Sequence, residues 1–384
     1  MALQPTLRRL KNQTLSNKDI SRETDWSDLQ PELIYLISRK LTDIFDFVRF
    51  RIVCKGWRHA VGVSDLPPQL PWIMVKYWKF RDCYLHFYSL LTGKTYTINV
   101  DQYYKSDHNP MEGSAYNYIP TCNWETHECP LFNPLTNEKL SLPRTLIWSL
   151  SCVPSVQLLS ASDHSSRYVC MTNPPSEDFT CLYSCHLGDL NWTAIQPRSS
   201  VETGTGFVNA GFALYDGMCY ANDEETGGTK VINLATRTVV CVVPWPETDQ
   251  LQVRICLLVS SGDILRVCHY HKYETKKPCY FHIYRLELGK GDGNMMHPCW
   301  IKIDKINNQF PFLHEDHGCA FRADDFPGFV GNSIYFLRWK AGEGTQINRY
   351  DIKDGKIEVL EVPLKLGHTW FVPSLCKQSS NFRS

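Results

Sequence analysis

Three features of the sequence predict an α+β chain in which a small three-helix unit precedes an all-β propeller of about six blades. The first is a change of periodicity. Apolar residues recur at three- and four-residue spacing from about Leu29 to Val61, and strand-like alternation takes over from Trp72 onward. The second is GVSDLPPQLP, residues 62 to 71, whose prolines and glycine separate the two patterns. The third is a hairpin of one type that returns about every 50 residues, the period of a four-stranded blade.

The helical unit opens in DWSDLQPELIYLISRKL, residues 25 to 41. Ser27 or Asp28 can cap the first backbone donors, and Pro31 suits a first helical turn. Leu33, Ile34, Ile37 and Leu41 then form one apolar face. Asp43 can start a second helix in which Ile44, Phe47 and Val48 share a face, and Ile52, Val53, Trp57 and Val61 continue through a third. Gly56 would cost about 1 kcal/mol inside a helix, so it is expected at the junction of the last two. Three helices this short cannot bury their apolar faces completely, so an exposed stripe is expected, covered by a partner or by the propeller itself. The proline-rich segment favours a separately presented unit over a cap on the propeller.

From Trp72 the chain alternates Val-, Ile-, Tyr-, Phe- and Trp-rich segments with Gly, Pro, Asn and Asp turns. The recurring hairpin is LHFYSLLTGKTYTI from Leu85, PLFNPLTNEKLSLP from Pro130, TCLYSCHLGDLNWTAI from Thr180, TKVINLATRTVVCVV from Thr229, FHIYRLELGKGDGNMMHPCWIKI from Phe281 and QINRYDIKDGKIEVL from Gln346. Successive starts differ by 45, 50, 49, 52 and 65 residues. Partner segments of a second kind lie between them: GFALYDGMCYA at 211, ICLLVSSGDILRVCHY at 255 and GFVGNSIYFLRW at 328. A closed ring of blades leaves only short strand edges exposed. The strand PWIMVKYW and the strands near Ile357 to Leu366 are the candidates for completing one shared blade. Six blades fit the six hairpins, with five or seven as alternatives. A β-sandwich with long insertions is the rival, and it does not predict a steady spacing.

Of 384 residues, 43% are hydrophobic, enough for a substantial core, and 40 basic residues balance 40 acidic ones. That balance gives no reason to expect a nucleic acid or an anionic membrane as partner. No apolar run approaches the roughly 18 residues of a spanning helix, and the first residues lack the apolar centre of a secretory signal, so an intracellular location, nuclear or cytoplasmic, is expected. Sixteen irregularly spaced cysteines are too sparse for a disulfide scaffold; Cys170, Cys219, Cys241, Cys256 and Cys268 sit in apolar segments and are expected as reduced, buried thiols.

Catalytic and metal-binding chemistry finds little support. His269 and His271 would share a strand face with His282 nearby, but no carboxylate or cysteine at a ligand spacing joins them. Cys181, Cys185 and His186 lack a second pair. Asp324 and Asp325 in DDFPG, and Glu315 and Asp316 in EDH, are carboxylates beside turns. No phosphate loop, serine elbow or histidine–glutamate zinc motif is present. No cofactor and no metal are therefore expected. Trp124, Trp192, Trp245, Trp300, Trp339 and Trp370 are expected to pack between blades, a minority lining a binding mouth.

The helical unit resembles an F-box, a three-helix module. The match comprises Leu29, Glu32, Leu33, Ile34, Ile37 and Leu41, then Val48, Phe50, Val53, Cys54, Lys55, Trp57 and Arg58 in VRFRIVCKGWR. The family's usual leucine–proline pair is Leu29–Gln30 here, with proline delayed to Pro31. The remaining chain resembles the plant F-box family with a kelch-like propeller of the KIB type, through DWSDL, LFNPLTNEKLSLP, FPGFVGNSIYFL and TWFVPSL.

Together with the polar, aperiodic first residues and the change of patterning at the prolines, these resemblances give the expected division: a flexible arm over 1–24, an F-box over 25–62, a linker over 63–71, a propeller over 72–376 and a flexible tail over 377–384. They imply a substrate receptor of a Skp–cullin–F-box ubiquitin ligase. Leu29, Pro31, Leu33, Ile34, Ile37, Leu41, Val53, Cys54 and Trp57 would dock a Skp-type adaptor, and through it cullin and RING subunits, while the propeller holds a protein target. The alternatives are an adaptor-binding scaffold that delivers nothing for ubiquitylation, and a propeller enzyme acting on small molecules.

Overall fold

The computed structural model describes residues 25–75, 84–100, 108–110, 117–123, 126, 128, 130–144, 156–160, 167–172, 182–196, 211–222, 227–245, 253–270, 279–288, 298–314, 317–340, 344–362 and 370–375. The arm over 1–24 and the tail over 377–384 lie outside them. Contacts divide the chain into two compact units, Met1–Pro67 and Pro68–Ser384.

The first unit carries three helices: α1 (Pro31–Ser38), α2 (Ile44–Arg51) and α3 (Lys55–Ala60). Asp43 caps α2, its Oδ1 accepting from the amides of Phe45 at 2.9 Å and Asp46 at 3.4 Å. Two boundaries differ from the periodicity. α1 follows Gln30, which makes no side-chain cap, and ends before Leu41; Asp25 instead caps a 3-10 turn over Trp26–Asp28. Gly56 lies within α3, because the Cys54 Sγ accepts from the Trp57 amide at 3.4 Å and starts the helix one residue earlier than the glycine. Ile52 and Val53 therefore fall in the α2–α3 junction and are exposed.

The second unit is a six-bladed β-propeller. Blade 1 holds β1 (Trp72–Met74), β2 (Tyr84–Ser89) and β3 (Thr95–Asn99); blade 2 holds β4 (His108–Pro110), β5 (Ile119–Asn123), β6 (Leu131–Asn133) and β7 (Glu138–Leu140). Blade 3 holds β8 (Val156–Ser160), β9 (Arg167–Thr172), β10 (Leu182–His186) and β11 (Thr193–Gln196). Blade 4 holds β12 (Phe212–Tyr215), β13 (Met218–Asn222), β14 (Thr229–Asn233) and β15 (Thr238–Val243). Blade 5 holds β16 (Val253–Ser260), β17 (Asp263–Tyr270), β18 (Tyr280–Glu287) and β19 (Cys299–Ile303). Blade 6 holds β20 (Gln309–His314), β21 (His317–Arg322), β22 (Ser333–Lys340), β23 (Gly344–Asp351) and β24 (Ile357–Leu360). The last strand, β25 (Trp370–Phe371), returns to pair antiparallel with β1 in blade 1.

The recurring hairpin of the sequence is the outer strand pair of every blade, and in blades 1, 2, 4 and 6 its turn has a shared chemistry. Asn133 Oδ1 accepts from the amides of Leu135 and Thr136, and Asn233 Oδ1 from those of Ala235 and Thr236. Four residues after each stands a left-handed residue, Asn137 at φ 58° and Arg237 at φ 57°; Ser89–Gly93 and Asp351–Gly355 repeat the arrangement with glycine. The long 65-residue interval arises in blade 6. There β20 doubles back as β21, and the chain re-enters as β22 parallel to β20, adding a fifth strand.

Ring closure corrects one expectation. Ile357–Leu360 is the outer strand of blade 6, and β25 is the strand that completes blade 1 beside Trp72. Blade 1 is held by rings: Trp72 stacks on Tyr96 at 4.4 Å and meets Phe371 edge-on at 5.7 Å. Asn133 of blade 2 donates through Nδ2 to the Ser374 carbonyl at 3.2 Å, anchoring the segment after β25.

Candidate functional site

In the helical unit the core is built on Trp57. Its Nε1 donates to the Trp26 carbonyl at 3.0 Å, and its ring lies 4.4 Å from that of Phe50 on α2. Arg51 Nε donates to the Val61 carbonyl at 2.8 Å, tying the end of α2 to the chain after α3. Ile34, Ile44, Phe47 and Val61 are buried with the indole, and Ser38 turns its hydroxyl back to the Tyr35 carbonyl at 2.7 Å. With those groups satisfied, the unit has a closed interior of its own.

What it leaves outside is apolar. On eight-residue α1 only Ile34 and Ser38 face inward. Leu33 is 47%, Leu36 59% and Ile37 42% exposed, at three- and four-residue spacing along one face, with Tyr35 exposed beside them. A helix side bound only by water is ordinarily polar. Trp26 also presents its ring to solvent, as do Ile52 and Val53 their side chains at the α2–α3 junction. Asp25, near the start of this unit, has its carboxyl held below the ordinary range by the Ser27 amide.

Of the nine residues expected to dock an adaptor, Pro31, Leu33, Ile37 and Val53 are exposed, and Leu29, Leu41 and Cys54 are partly buried. Ile34 and Trp57 are buried. Both belong to the interior of the unit, the indole being engaged by the Trp26 carbonyl and the Phe50 ring. Trp26, Tyr35, Leu36 and Ile52, outside that set, are exposed as well. The signal for Leu36 was its place three residues after Leu33, but Ile34, Ile37 and Leu41 compete for the same spacing.

In the propeller, the tryptophans whose side chains are described are packed. Trp300 and Trp370 are buried, Trp192 Nε1 donates to the Pro143 carbonyl at 2.9 Å, and Trp245 lies under Arg266. Trp124 lies outside the described residues, as does the side chain of Trp339. His269 stacks on Phe281 at 4.2 Å, and His282 pairs across the ladder with Cys268 amid Tyr270, Tyr280 and Tyr284. His271, Cys181, Glu315 and Asp316 lie outside the described residues. Asp324 is engaged by Asn308 Nδ2 at 2.8 Å and by Arg322 at 3.5 Å. Among the described residues no group of three His, Cys, Asp or Glu side chains could hold a metal, and no helix is long and apolar enough to cross a membrane.

A family model described as the KIB1-4 beta-propeller matches residues 87–359. A putative F-box/kelch-repeat protein of Arabidopsis thaliana is 24% identical over 372 residues, covering 85% of this chain and 90% of its own length. Another F-box/kelch-repeat protein of the same plant is 24% identical, covering 89% and 91%. A putative F-box protein, also from Arabidopsis thaliana, is 21% identical, covering 87% and 93%.

Proposed function

The chain belongs to the KIB1-4 β-propeller family, and from that premise we propose that it is the substrate-recognition subunit of a Skp–cullin–F-box ubiquitin ligase. The observation that carries the proposal is α1: a helix on a unit with a finished core that nevertheless presents Leu33, Leu36 and Ile37 outward. An adaptor helix pair laid against that stripe would bury it, which is how amphipathic helices are ordinarily recognised. The F-box relatives support the same reading.

In this role the chain performs no bond chemistry. The propeller holds a protein target, and the adaptor, cullin and RING subunits bring a ubiquitin-charged enzyme to it. Transfer to a target lysine then gains from effective concentration and not from a catalytic residue of this chain. Nucleus and cytoplasm both suit it.

The test is binding of a purified Skp-type adaptor to the full chain, measured by calorimetry or pull-down. Leu33→Asp with Leu36→Asp is expected to abolish binding while leaving the melting temperature of the chain within a degree or two. A folded wild type that fails to bind adaptor would sink the ligase reading.

A further inference from the structure

The charges of the helical unit are divided. Residues 25–38, the 3-10 turn and α1, carry Asp25, Asp28 and Glu32 and no basic residue. Residues 49–59 carry Arg49, Arg51, Lys55 and Arg58 and no acidic one, in a chain whose 40 basic and 40 acidic residues balance. Arg49, Lys55 and Arg58 are exposed, and along the chain they bracket Ile52 and Val53, themselves exposed by 60% and 58%. Arg51 donates to the Val61 carbonyl, and Arg49 is met by Asp46 at 2.8 Å. Among the described residues no carboxylate pairs with Lys55 or Arg58.

Helix dipoles account for part of this pattern. Arg49 and Arg51 stand in the last turn of α2 and Arg58 in that of α3, where a cation is favourable. Lys55 does not fit. It is the first residue of α3, whose first turn holds no acidic residue, and a cation there opposes the dipole. Its surroundings are those of the exposed apolar side chains. α3 packs on α1 and on the 3-10 turn, and a Cβ on Gly56 would lie 3.8 Å from the Ser27 carbonyl oxygen, so Lys55 is one residue from a contact with the turn that carries Trp26.

We propose that the α2–α3 side of the helical unit is an electrostatic docking surface for the same Skp-type adaptor, and that the adaptor meets it with carboxylates set around an apolar patch. The inference rests on the adaptor-docking reading above and adds to it the chemistry of the partner's surface and the residues that recognise it. Ile52 and Val53 call for apolar contact, which a phosphate backbone does not give, and Lys55 and Arg58 call for negative charge. Carboxylates at this side, with the acidic start of α1 at the other, fix which way round the adaptor sits. Exposed charges act chiefly on the rate of encounter, and salt screens them.

The experiment is stopped-flow association of the full chain with a purified Skp-type adaptor at about 50 mM and about 500 mM salt. Lys55→Glu with Arg58→Glu is expected to slow association about tenfold or more at the lower salt, and less than about threefold at the higher. Lys55→Arg, which keeps the charge, should associate as the wild type does. Melting separates this role from a structural one: Lys55→Glu suits the dipole, so it should hold or raise the melting temperature while slowing association. A double variant that associates like the wild type at both salts, or that slows only in step with a fallen melting temperature, would overturn the proposal and leave the ligase reading standing. A wild type that binds no adaptor would remove that reading and this inference with it. If a mixed-sequence oligonucleotide binds the wild type and not the double variant, while adaptor association ignores both substitutions, the basic side serves a nucleic acid and the proposal falls.

Discussion

The guanidinium of Arg266 on β17 lies 3.8 Å above the Trp245 ring, across the boundary between blades 5 and 4. Its Nη1 also donates to Thr229 Oγ1 at 3.0 Å and its Nη2 to the Gly227 carbonyl at 2.8 Å. Arg266 is fully buried, and burial draws its guanidinium below the ordinary arginine value. A planar fork that stacks and donates at once is not replaced by an ammonium. Arg266→Lys should therefore destabilise the propeller measurably. A double-mutant cycle of Arg266→Leu and Trp245→Leu should return a coupling of about 1–2 kcal/mol in urea titrations. Strict additivity would mean that the stacking contributes nothing.

Trp57 and Leu36 should separate folding from docking. Trp57→Ala removes the centre of the helical unit and is expected to cost about 3–5 kcal/mol, seen as loss of amide-exchange protection over residues 31–60. Leu36→Ser, on the exposed side of α1, should stay within about 0.5 kcal/mol of wild type while weakening adaptor binding. Equal effects of the two substitutions on exchange would contradict the placement of these side chains.

Burial pushes the Cys319 thiol up, and it does the same at Cys185. The folded chain then keeps protons that the unfolded chain releases near the ordinary thiol value of 9.0. Stability should fall as pH rises through that value toward the folded one, and be fully present below it. Between about pH 8 and about pH 10 the melting temperature should drop, and less so in Cys319→Ala. An identical drop in both proteins would show that this thiol does not contribute.

Gly328 and Gly331 occupy one loop for different reasons. Gly328 holds φ 97° with open space around it, whereas a Cβ on Gly331 would come 2.9 Å from the Asn308 Cα. Gly331→Ala should cost about 1–3 kcal/mol through overpacking. Gly328→Ala should cost about 1 kcal/mol through its backbone angle. Denaturant midpoints in the reverse order would refute this assignment.

The outer hairpins of blades 1, 2, 4 and 6 were legible because what makes them is local: an apolar strand, a Ser, Asn or Asp whose side chain closes the turn, and a left-handed position four residues on. The Asp43 cap was legible for the same reason. The inward side of α1 was not. Leu33, Ile34, Leu36 and Ile37 satisfy helical spacing on two overlapping faces, and only contact with Trp57 and its neighbours decides between them. The parallel pairing of β20 with β22, and the two-residue β25, depend on meetings between distant segments that leave no periodic trace. Arg266 gave no signal either, since its partners are fixed by the approach of two blades.

The register that joins β25 to β1 sets Trp72 opposite Phe371 and Ile73 opposite Trp370, running antiparallel. The N-terminal end of β1 and the C-terminal end of β25 therefore emerge on the same side. A mechanical load applied between them pulls across the pairing and not along it, so bonds yield one after another, as in a zipper. An unfolding motor gripping the chain beyond residue 371 would start at this seam and expose Trp72 first.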